Sequence, residues 1–275
     1  MAEFGCLTMA TRKRGYGEMA VNLALSLKTL LPDLPISVIS DGYAEIVPGS
    51  RDLFDEFIPV PKDANPFETK SRMFDFSPYP RTLWLDADSC ILRDPSQMLA
   101  ELKAVDFACM EYRRHAFDSI RNPVWGTIGE IFCHYGLLET DVYPEYNSSV
   151  MYFNDCDENV KFFQAVNKAY NQKPCRLTQD VGGFFPDEVA YGVASARLAY
   201  YSELKYWQPA YLAWLSAHPG EAEIVKQYPI LTMSGGRRNN PTKGLYNSIV
   251  SEAGKKLGIK SYLYDVTTKI YAGVK

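Results

Sequence analysis

Two aspartates at the end of an apolar segment are the residues best suited to chemistry in this chain. Asp86 and Asp88 follow the apolar run 83–85 at a spacing of i, i+2. On an extended backbone that spacing places both side chains on one face, where two carboxylates can bind one hard cation such as Mn²⁺ or Mg²⁺. Ligands of parallel α/β sheets bind at the carboxyl ends of the strands. We therefore predict a site for a metal and a diphosphate at these two residues.

A second triplet of the same kind shows that the pattern needs its context. Asp155-Cys156-Asp157 also follows a strand-like segment, but it leads into the helical pattern of 158–170, where acidic residues cap a helix and complement its dipole. Asp86 and Asp88 are followed by the apolar stretch 89–92 instead. Burying unpaired carboxylates is costly, so this pair needs a metal or a basic partner, and we take it as the functional one.

Length and composition are those of an ordinary soluble globular protein. The chain has 275 residues, of which 47% are hydrophobic and 23% charged, and a net charge of −4, which gives no general attraction to nucleic acid. No signal pattern or membrane-length apolar run is present, and the six cysteines form no CxxC pair. We expect a cytoplasmic protein without a zinc site.

The secondary-structure pattern predicts a largely parallel sheet flanked by helices, because strand-like and helix-like segments alternate over the first two-thirds of the chain. Residues 114–135 could be partly a loop or lid, and the last third is rich in aromatic residues. Strands are predicted at 4–10, 36–40, 57–60, 81–85, 105–110, 146–153 and 229–233, and helices at 18–31, 67–76, 95–102, 158–170 and 245–257.

Two further segments have side chains suited to a sugar nucleotide. The loop 234–240, Ser-Gly-Gly-Arg-Arg-Asn-Asn, combines glycines that allow close backbone approach with arginines that bind phosphate, although a plain solvated turn would have the same composition. Lys70 and Arg72 would diverge by roughly 200° on a helix, so one of them can face a site. We favour Arg72.

Four sequence blocks in order carry a resemblance to a known family: 7–11 with Tyr16, 70–74 followed by 81–92, 146–154, and 177–180. The chain resembles the retaining glycosyltransferases of the GT-A fold, in the group of glycogenin and the bacterial lipopolysaccharide galactosyltransferases (family 8). The resemblance implies one Rossmann-like domain over 1–275, with a nucleotide-binding half at 1–110. The acceptor-side half, the phosphate loop and the last helix would occupy 111–275.

The resemblance also implies roles for individual residues. Gln179 or Asp180 would steady the oxocarbenium-like transition state, and Asn147 would contact a sugar hydroxyl, unless it bonds a neighbouring backbone group instead. Asp41 would contact the nucleoside or only form a turn with Gly42. Asp86 and Asp88 would bind Mn²⁺ or Mg²⁺, although Asp86 could contact the ribose or sugar instead. The donor-binding residues would be Ala10, Thr11, Tyr16, Asp41, Arg72, Asp86, Ala87, Asp88, Gly235, Gly236 and Arg237. For Thr11 and Tyr16 the alternative is simple packing at the start of the helix.

Two departures from the family pattern concern the chemistry. The family usually supplies a third metal ligand from a C-terminal histidine, and the corresponding segment 230–238 has none. Thr178 stands where the family often has Asp. Either fewer protein ligands hold the metal, another residue substitutes, or metal use is weakened.

The predicted function is therefore metal-assisted transfer of a sugar, with retention, from a nucleoside diphosphate sugar such as a UDP-sugar. The acceptor is open among saccharide, protein and lipid-linked acceptors, with hydroxymethylated DNA as a minority option suggested by the basic groups 12–14 and 113–114 with Arg121. The alternatives are a nucleotidyltransferase acting on a sugar phosphate, for which the basic loop 11–17 is a possible phosphate loop, and a non-catalytic sugar-nucleotide binder.

Overall fold

The structure is a computed structural model, and it describes residues 2–172, 185–204, 207–213, 219–233 and 241–264. Within these ranges the chain forms two compact units, each discontinuous in sequence. The first unit takes its residues from 1–64, 77–104 and 209–270, and the second from 65–76 and 105–208. The organisation as a single domain with halves at 1–110 and 111–275 stays a prediction.

The first unit is built on four parallel strands in the order β3-β2-β1-β4. Strands β1 and β2 are buried along almost their whole length, which explains why they are nearly continuous apolar segments rather than alternating ones. The strands are β1 (Phe4–Ala10), β2 (Ile36–Ser40), β3 (Glu56–Pro59) and β4 (Arg81–Leu85).

A second, three-stranded sheet completes the first unit. Its central strand β9 pairs antiparallel with β5 and parallel with β8. Helix α1 packs against β5 and α10, and the Ser26 hydroxyl accepts a hydrogen bond from the Ile91 amide at 2.9 Å. The elements are β5 (Ser89–Ile91), β8 (Ala210–Leu212), β9 (Ile230–Thr232), α1 (Arg14–Leu30), α2 (Ser50–Leu53), α5 (Ser96–Leu102), α9 (Glu221–Gln227) and α10 (Lys243–Leu257).

The second unit packs helices on an antiparallel pair of long strands, β6 and β7. Its core is aromatic: the Phe107 and Phe162 ring centroids are 4.7 Å apart, and those of Phe74 and Phe163 are 5.0 Å apart. The elements are β6 (Phe107–His115), β7 (Tyr143–Asn154), α3 (Pro66–Ser71), α4 (Met73–Phe76), α6 (Ile128–Tyr135), α7 (Asp157–Asn171) and α8 (Asp187–Leu198).

The predicted fold class, an α/β protein with mainly parallel strands flanked by helices, is confirmed. The strand predictions 4–10, 36–40 and 81–85 match the observed bounds. The predicted helix 67–76 was wrong in one respect, because the chain leaves helical geometry at Arg72 and divides into α3 and α4. No described helix is long and apolar enough to cross a membrane.

Some of the aromatic residues in the last third of the chain pack in the core rather than forming a stacking surface. Tyr200 lies against the Phe107 and Phe162 rings, at centroid distances of 5.7 and 5.6 Å, and its hydroxyl donates to Asn159. Tyr201 lies beneath the Arg114 guanidinium. Tyr200 thus packs against core rings, whereas Tyr201 is partly exposed. Tyr206 and Trp214 lie outside the described residues.

Candidate functional site

The two candidate metal carboxylates lie on a tight turn in the first unit. Strand β4 ends at Leu85, and the Ser89 amide donates to the Asp86 carbonyl at 2.9 Å, which closes a turn over the residues 86–88. The expectation of an extended backbone was therefore wrong. The reason is topological, because the chain leaves the parallel sheet at Leu85 and joins a different sheet at Ser89. The turn, rather than a pleated face, sets the directions of Asp86 and Asp88.

The two carboxylates of this turn have different environments. Asp86 is partly exposed, and its Oδ1 accepts a hydrogen bond from the Trp84 indole N–H at 3.1 Å. Asp88 is 9% exposed, and its carbonyl accepts from the Met233 amide at 3.0 Å. The described residues hold no group of three or more His, Cys, Asp or Glu side chains placed around one metal position. Two carboxylates nevertheless suit a hard divalent cation that completes its shell with phosphate oxygens and water.

Asp41 directly follows strand β2 and organises the loop between β1 and α1. Its Oδ2 accepts a hydrogen bond from the Arg12 amide at 2.5 Å, and its Oδ1 accepts from the Tyr43 amide at 3.3 Å. Arg12 has a φ of +73°, an uncommon value outside glycine, so this contact offsets a strained backbone. Asp41 therefore forms the turn that was one of its two predicted roles, and contact with a nucleoside stays a prediction.

Several predicted donor-binding residues lie together at one edge of the parallel sheet. Strand β1 pairs with β2 on one side and β4 on the other, so the carboxyl ends of the three strands share that edge. Tyr16 is in the first turn of α1, where it is partly buried. The residues at or directly after the strand ends are Ala10, Thr11, Asp41, Asp86, Ala87 and Asp88.

The flanks of the glycine- and arginine-rich segment meet at the same place. Met233 directly follows β9 and donates its amide to the Asp88 carbonyl, while the Thr242 hydroxyl donates to the Met233 sulfur at 3.6 Å. Gly235, Gly236 and Arg237 lie outside the described residues. Met233 and Thr242, the described residues on either side of that segment, therefore contact each other, and Met233 also contacts the Asp88 backbone.

A buried charged cluster in the second unit was not foreseen from the sequence. Lys70, at the end of α3, is 6% exposed and lies 3.8 Å from Asp187, which is 2% exposed. Asp187 and Glu188 form the first turn of α8. This helix packs closely on β7 because Gly192 has no side chain: a Cβ there would lie 2.6 Å from the Pro144 carbonyl oxygen. We name Lys70, Asp187 and Glu188 the lysine–carboxylate cluster.

Glu188 is held by two donors from different segments. The Trp125 indole N–H donates to Oε2, and the Ser148 amide donates to Oε1 at 3.3 Å. Burial raises the pKa of Glu188 from 4.5 to about 7, and the Asp187 carboxylate beside it adds to the rise, while Trp125, Lys70 and Ser148 oppose it. A carboxyl group with this pKa exists in both protonation states near neutral pH, which suits acid–base or charge-stabilising chemistry.

This raised pKa predicts a pH dependence of stability. Between pH 4.5 and 7 the folded protein keeps a proton that the unfolded chain has already released, so the free energy of unfolding should fall as pH rises through that window. Glu188→Gln should remove this contribution. Urea unfolding at four pH values between 4.5 and 7.5 measures it, with the exposed Glu139→Gln as the control. An unchanged slope in Glu188→Gln would contradict the assignment.

The Trp125 segment is itself fixed by a buried carboxylate on β7. Glu145 is 3% exposed and accepts from the Val124 amide at 2.7 Å through Oε1. Its Oε2 lies 3.1 Å from both His115 Nε2 and Arg113 Nε. The segment 116–127 is therefore tied to both long strands, so the position of Trp125 against Glu188 follows from buried polar contacts.

The structure clarifies three residues whose roles were left open. Asn147 is buried, and its Oδ1 accepts from the Ser149 amide at 3.0 Å, so it has the neighbouring-backbone partner that was one of its two alternatives. Arg72 was expected to face a site in preference to Lys70. Its side chain is 52% exposed and pairs with Asp75 at 3.1 Å, whereas Lys70 is buried, and contact of Arg72 with a donor stays a prediction.

The polar residues predicted to lie beside the sugar, Gln179 and Asp180, are outside the described residues. Asp187 and Glu188 were missed because an acidic pair after Pro186 looks like an ordinary helix start. The signal that could have revealed them is the helix that follows. Residues 189–196 have almost no polar side, which predicts a helix buried all round, and carboxylates at the start of such a helix are buried with it.

Comparisons with known proteins support the fold. No family model matches the chain, and no curated protein sequence matches it. Its structure is similar to that of the galactosyltransferase LgtC in complex with donor and acceptor sugar analogues, with 12% identity, a TM-score of 0.53, and coverage of 91% of this chain and 95% of LgtC.

Two further solved structures are similar. Mouse xyloside xylosyltransferase 1 has 12% identity and a TM-score of 0.50, over 85% of this chain and 98% of that one. The bifunctional glycosyltransferase WbbM has 9% identity and a TM-score of 0.57, over 93% of this chain and 52% of WbbM. The chain therefore has the GT-A type of fold found in these glycosyltransferases, as its sequence blocks predicted.

Proposed function

We propose that this protein is a glycosyltransferase that transfers a sugar from a nucleoside diphosphate sugar, specifically a UDP-sugar, with retention of the anomeric configuration. The observation that carries the proposal is the grouping at one edge of the first unit's sheet. Asp86 and Asp88 follow β4 there, and the flanks of the Gly-Gly-Arg-Arg segment, Met233 and Thr242, contact each other beside Asp88. The GT-A fold agrees with this function.

The leaving group in such a transfer is a nucleoside diphosphate. Bound to Asp86 and Asp88, Mn²⁺ or Mg²⁺ would act as a Lewis acid and neutralise the charge that develops on the leaving phosphate. Arg237 and Arg238 stand in the sequence between Met233, which bonds Asp88, and Thr242, which bonds Met233, so their guanidinium groups are candidates for the phosphate oxygens. Asp41 keeps the β1–α1 loop in its strained conformation, next to Ala10 and Thr11.

Charge stabilisation at the sugar was assigned from sequence to Gln179 or Asp180. This role stays part of the proposal, and both residues lie outside the part of the chain that the structure describes.

A donor screen tests the proposal. UDP-, GDP-, ADP- and TDP-sugars are added with and without Mn²⁺, and the melting temperature is recorded, followed by measurement of donor hydrolysis. A UDP-sugar with Mn²⁺ is expected to raise the melting temperature by several degrees, as mass action requires for a ligand well above its Kd. No shift with any sugar nucleotide, with or without metal, would refute the proposal.

The alternatives give different results in the same screen. A nucleotidyltransferase would release pyrophosphate from a nucleoside triphosphate, but a phosphate-cradling loop after the first strand has little room here, since only residues 11–13 separate β1 from α1. A non-catalytic binder would show the shift without any turnover. Once a donor is found, saccharide, protein, lipid-linked and hydroxymethylated DNA acceptors are screened with it. Two of the basic residues suggested for DNA, Arg113 and Arg114, are already engaged with Glu145 and Glu111.

A further inference from the structure

We propose that Tyr264 is a positioning residue for the metal-diphosphate site, acting through Met233. Tyr264 belongs to the segment 259–264 that follows α10, here called the C-terminal strap. The Tyr264 hydroxyl donates to the Met233 carbonyl at 3.4 Å, and the amide of the same Met233 donates to the Asp88 carbonyl at 3.0 Å. The proposal rests on the proposed function for the identity of the ligand, but the contacts themselves are independent of it.

The strap can hold Tyr264 in place because it is hydrogen-bonded to two helices. The Asn22 side chain, on α1, bonds the Tyr262 backbone at both ends: Nδ2 donates to the carbonyl at 2.6 Å, and Oδ1 accepts from the amide at 2.9 Å. The Tyr264 amide donates to Asn247 Oδ1, on α10, at 2.7 Å. Asn22 is almost completely buried, so water competes little for these bonds. The Tyr264 ring is therefore presented to Met233 in a defined position.

Met233 receives contacts from three directions and is fully buried. Its amide bonds Asp88, its carbonyl bonds Tyr264, and its sulfur accepts from the Thr242 hydroxyl at 3.6 Å. Asp88 is the second of the two candidate metal carboxylates, and Met233 and Thr242 flank the glycine- and arginine-rich segment. Met233 thus contacts the carboxylate turn, the strap, and Thr242 on the other side of that segment. Loosening the Tyr264 bond should misplace the carboxylate turn and these flanks together.

The test compares two tyrosines of the same strap. Tyr264→Phe removes the hydroxyl that bonds Met233, and Tyr262→Phe removes a hydroxyl that bonds the Pro48 carbonyl at 3.2 Å instead. Binding of UDP with Mn²⁺ is measured by calorimetry for both variants. We expect Tyr264→Phe to weaken binding about tenfold, which corresponds to the loss of one hydrogen bond, and Tyr262→Phe to change it less than about twofold.

A second measurement needs no ligand. Hydrogen–deuterium exchange of peptides spanning 229–233 should become faster in Tyr264→Phe and stay unchanged in Tyr262→Phe, because only the first variant loosens the Met233 amide. If Tyr264→Phe does not fold, Thr242→Val removes the hydroxyl on the Met233 sulfur and is expected to have the same two effects. Equal affinities and equal exchange in the Tyr264 and Tyr262 variants would overturn the proposal. Absence of UDP–Mn²⁺ binding in the unmodified protein would instead refute the proposed function, and the exchange result would still decide the role of Tyr264.

Discussion

Replacing Asp88 with Asn is expected to abolish the Mn²⁺-dependent rise in melting temperature given by a UDP-sugar, and to lower the rate of sugar transfer by about 10² to 10³-fold. The amide keeps the size of the side chain but removes the charge that a hard cation requires. A loss of this size is typical when one preorganised charge-stabilising group is removed from an active site. Thermal shift and initial transfer rates, each measured with and without Mn²⁺, report the two effects separately.

The second Asp-x-Asp triplet, Asp155-Cys156-Asp157, provides a matched control for this experiment. Asp157 is exposed in the first turn of α7, where an Asn is nearly as well tolerated, so Asp157→Asn should leave both quantities unchanged. If Asp88→Asn retains the full Mn²⁺-dependent shift, Asp88 is not a metal ligand. A loss of binding in both variants would show a general effect of removing negative charge.

Replacing Lys70 with Met is expected to lower the free energy of unfolding by about 3–5 kcal/mol at pH 8, which is the usual cost of breaking a buried ion pair from one side. Lys70 and Asp187 are both buried, and Glu188 stands beside them. Methionine preserves most of the aliphatic packing, so the loss reports the carboxylates left without their cation. At pH 5.5 the loss should be smaller, because Glu188, whose pKa is raised to about 7, then carries its proton.

Arg72→Met is the control for the lysine variant. Arg72 lies two residues away and pairs with Asp75, but both side chains are about half exposed, so its removal should cost no more than about 1 kcal/mol. Urea unfolding at pH 5.5 and pH 8 compares the two variants. Similar losses in both, or a Lys70→Met loss that does not depend on pH, would contradict the buried charged cluster.

Much of the fold and of the first unit's site could be predicted from local patterns. Continuous apolar segments gave β1, β2 and β4 at their observed bounds, because parallel strands buried on both faces leave little room for polar residues. Parallel strands also place their carboxyl ends at one edge. The order of strands and carboxylates along the chain therefore predicts that Asp41, after β2, lies at the same edge as Asp86 and Asp88, after β4.

Other features depended on contacts between residues far apart in the sequence. Asp86 and Asp88 lie on a turn rather than a strand because the next residues pair with β9: Ser89 and Thr232, whose side chains bond, are 143 positions apart. Lys70 rather than Arg72 is buried because α8 packs against α3, and the Tyr191 hydroxyl bonds the Lys70 carbonyl across 121 positions.

The sequence by itself determined which segments form the parallel strands and which carboxylates follow them, since burial period and strand ends are local properties of the chain. The tertiary structure alone decided that Glu188 has a raised pKa and that Tyr264 reaches Asp88 through Met233. The physical reason is that desolvation and hydrogen-bond geometry depend on which segments pack together, and no local pattern specifies the partner.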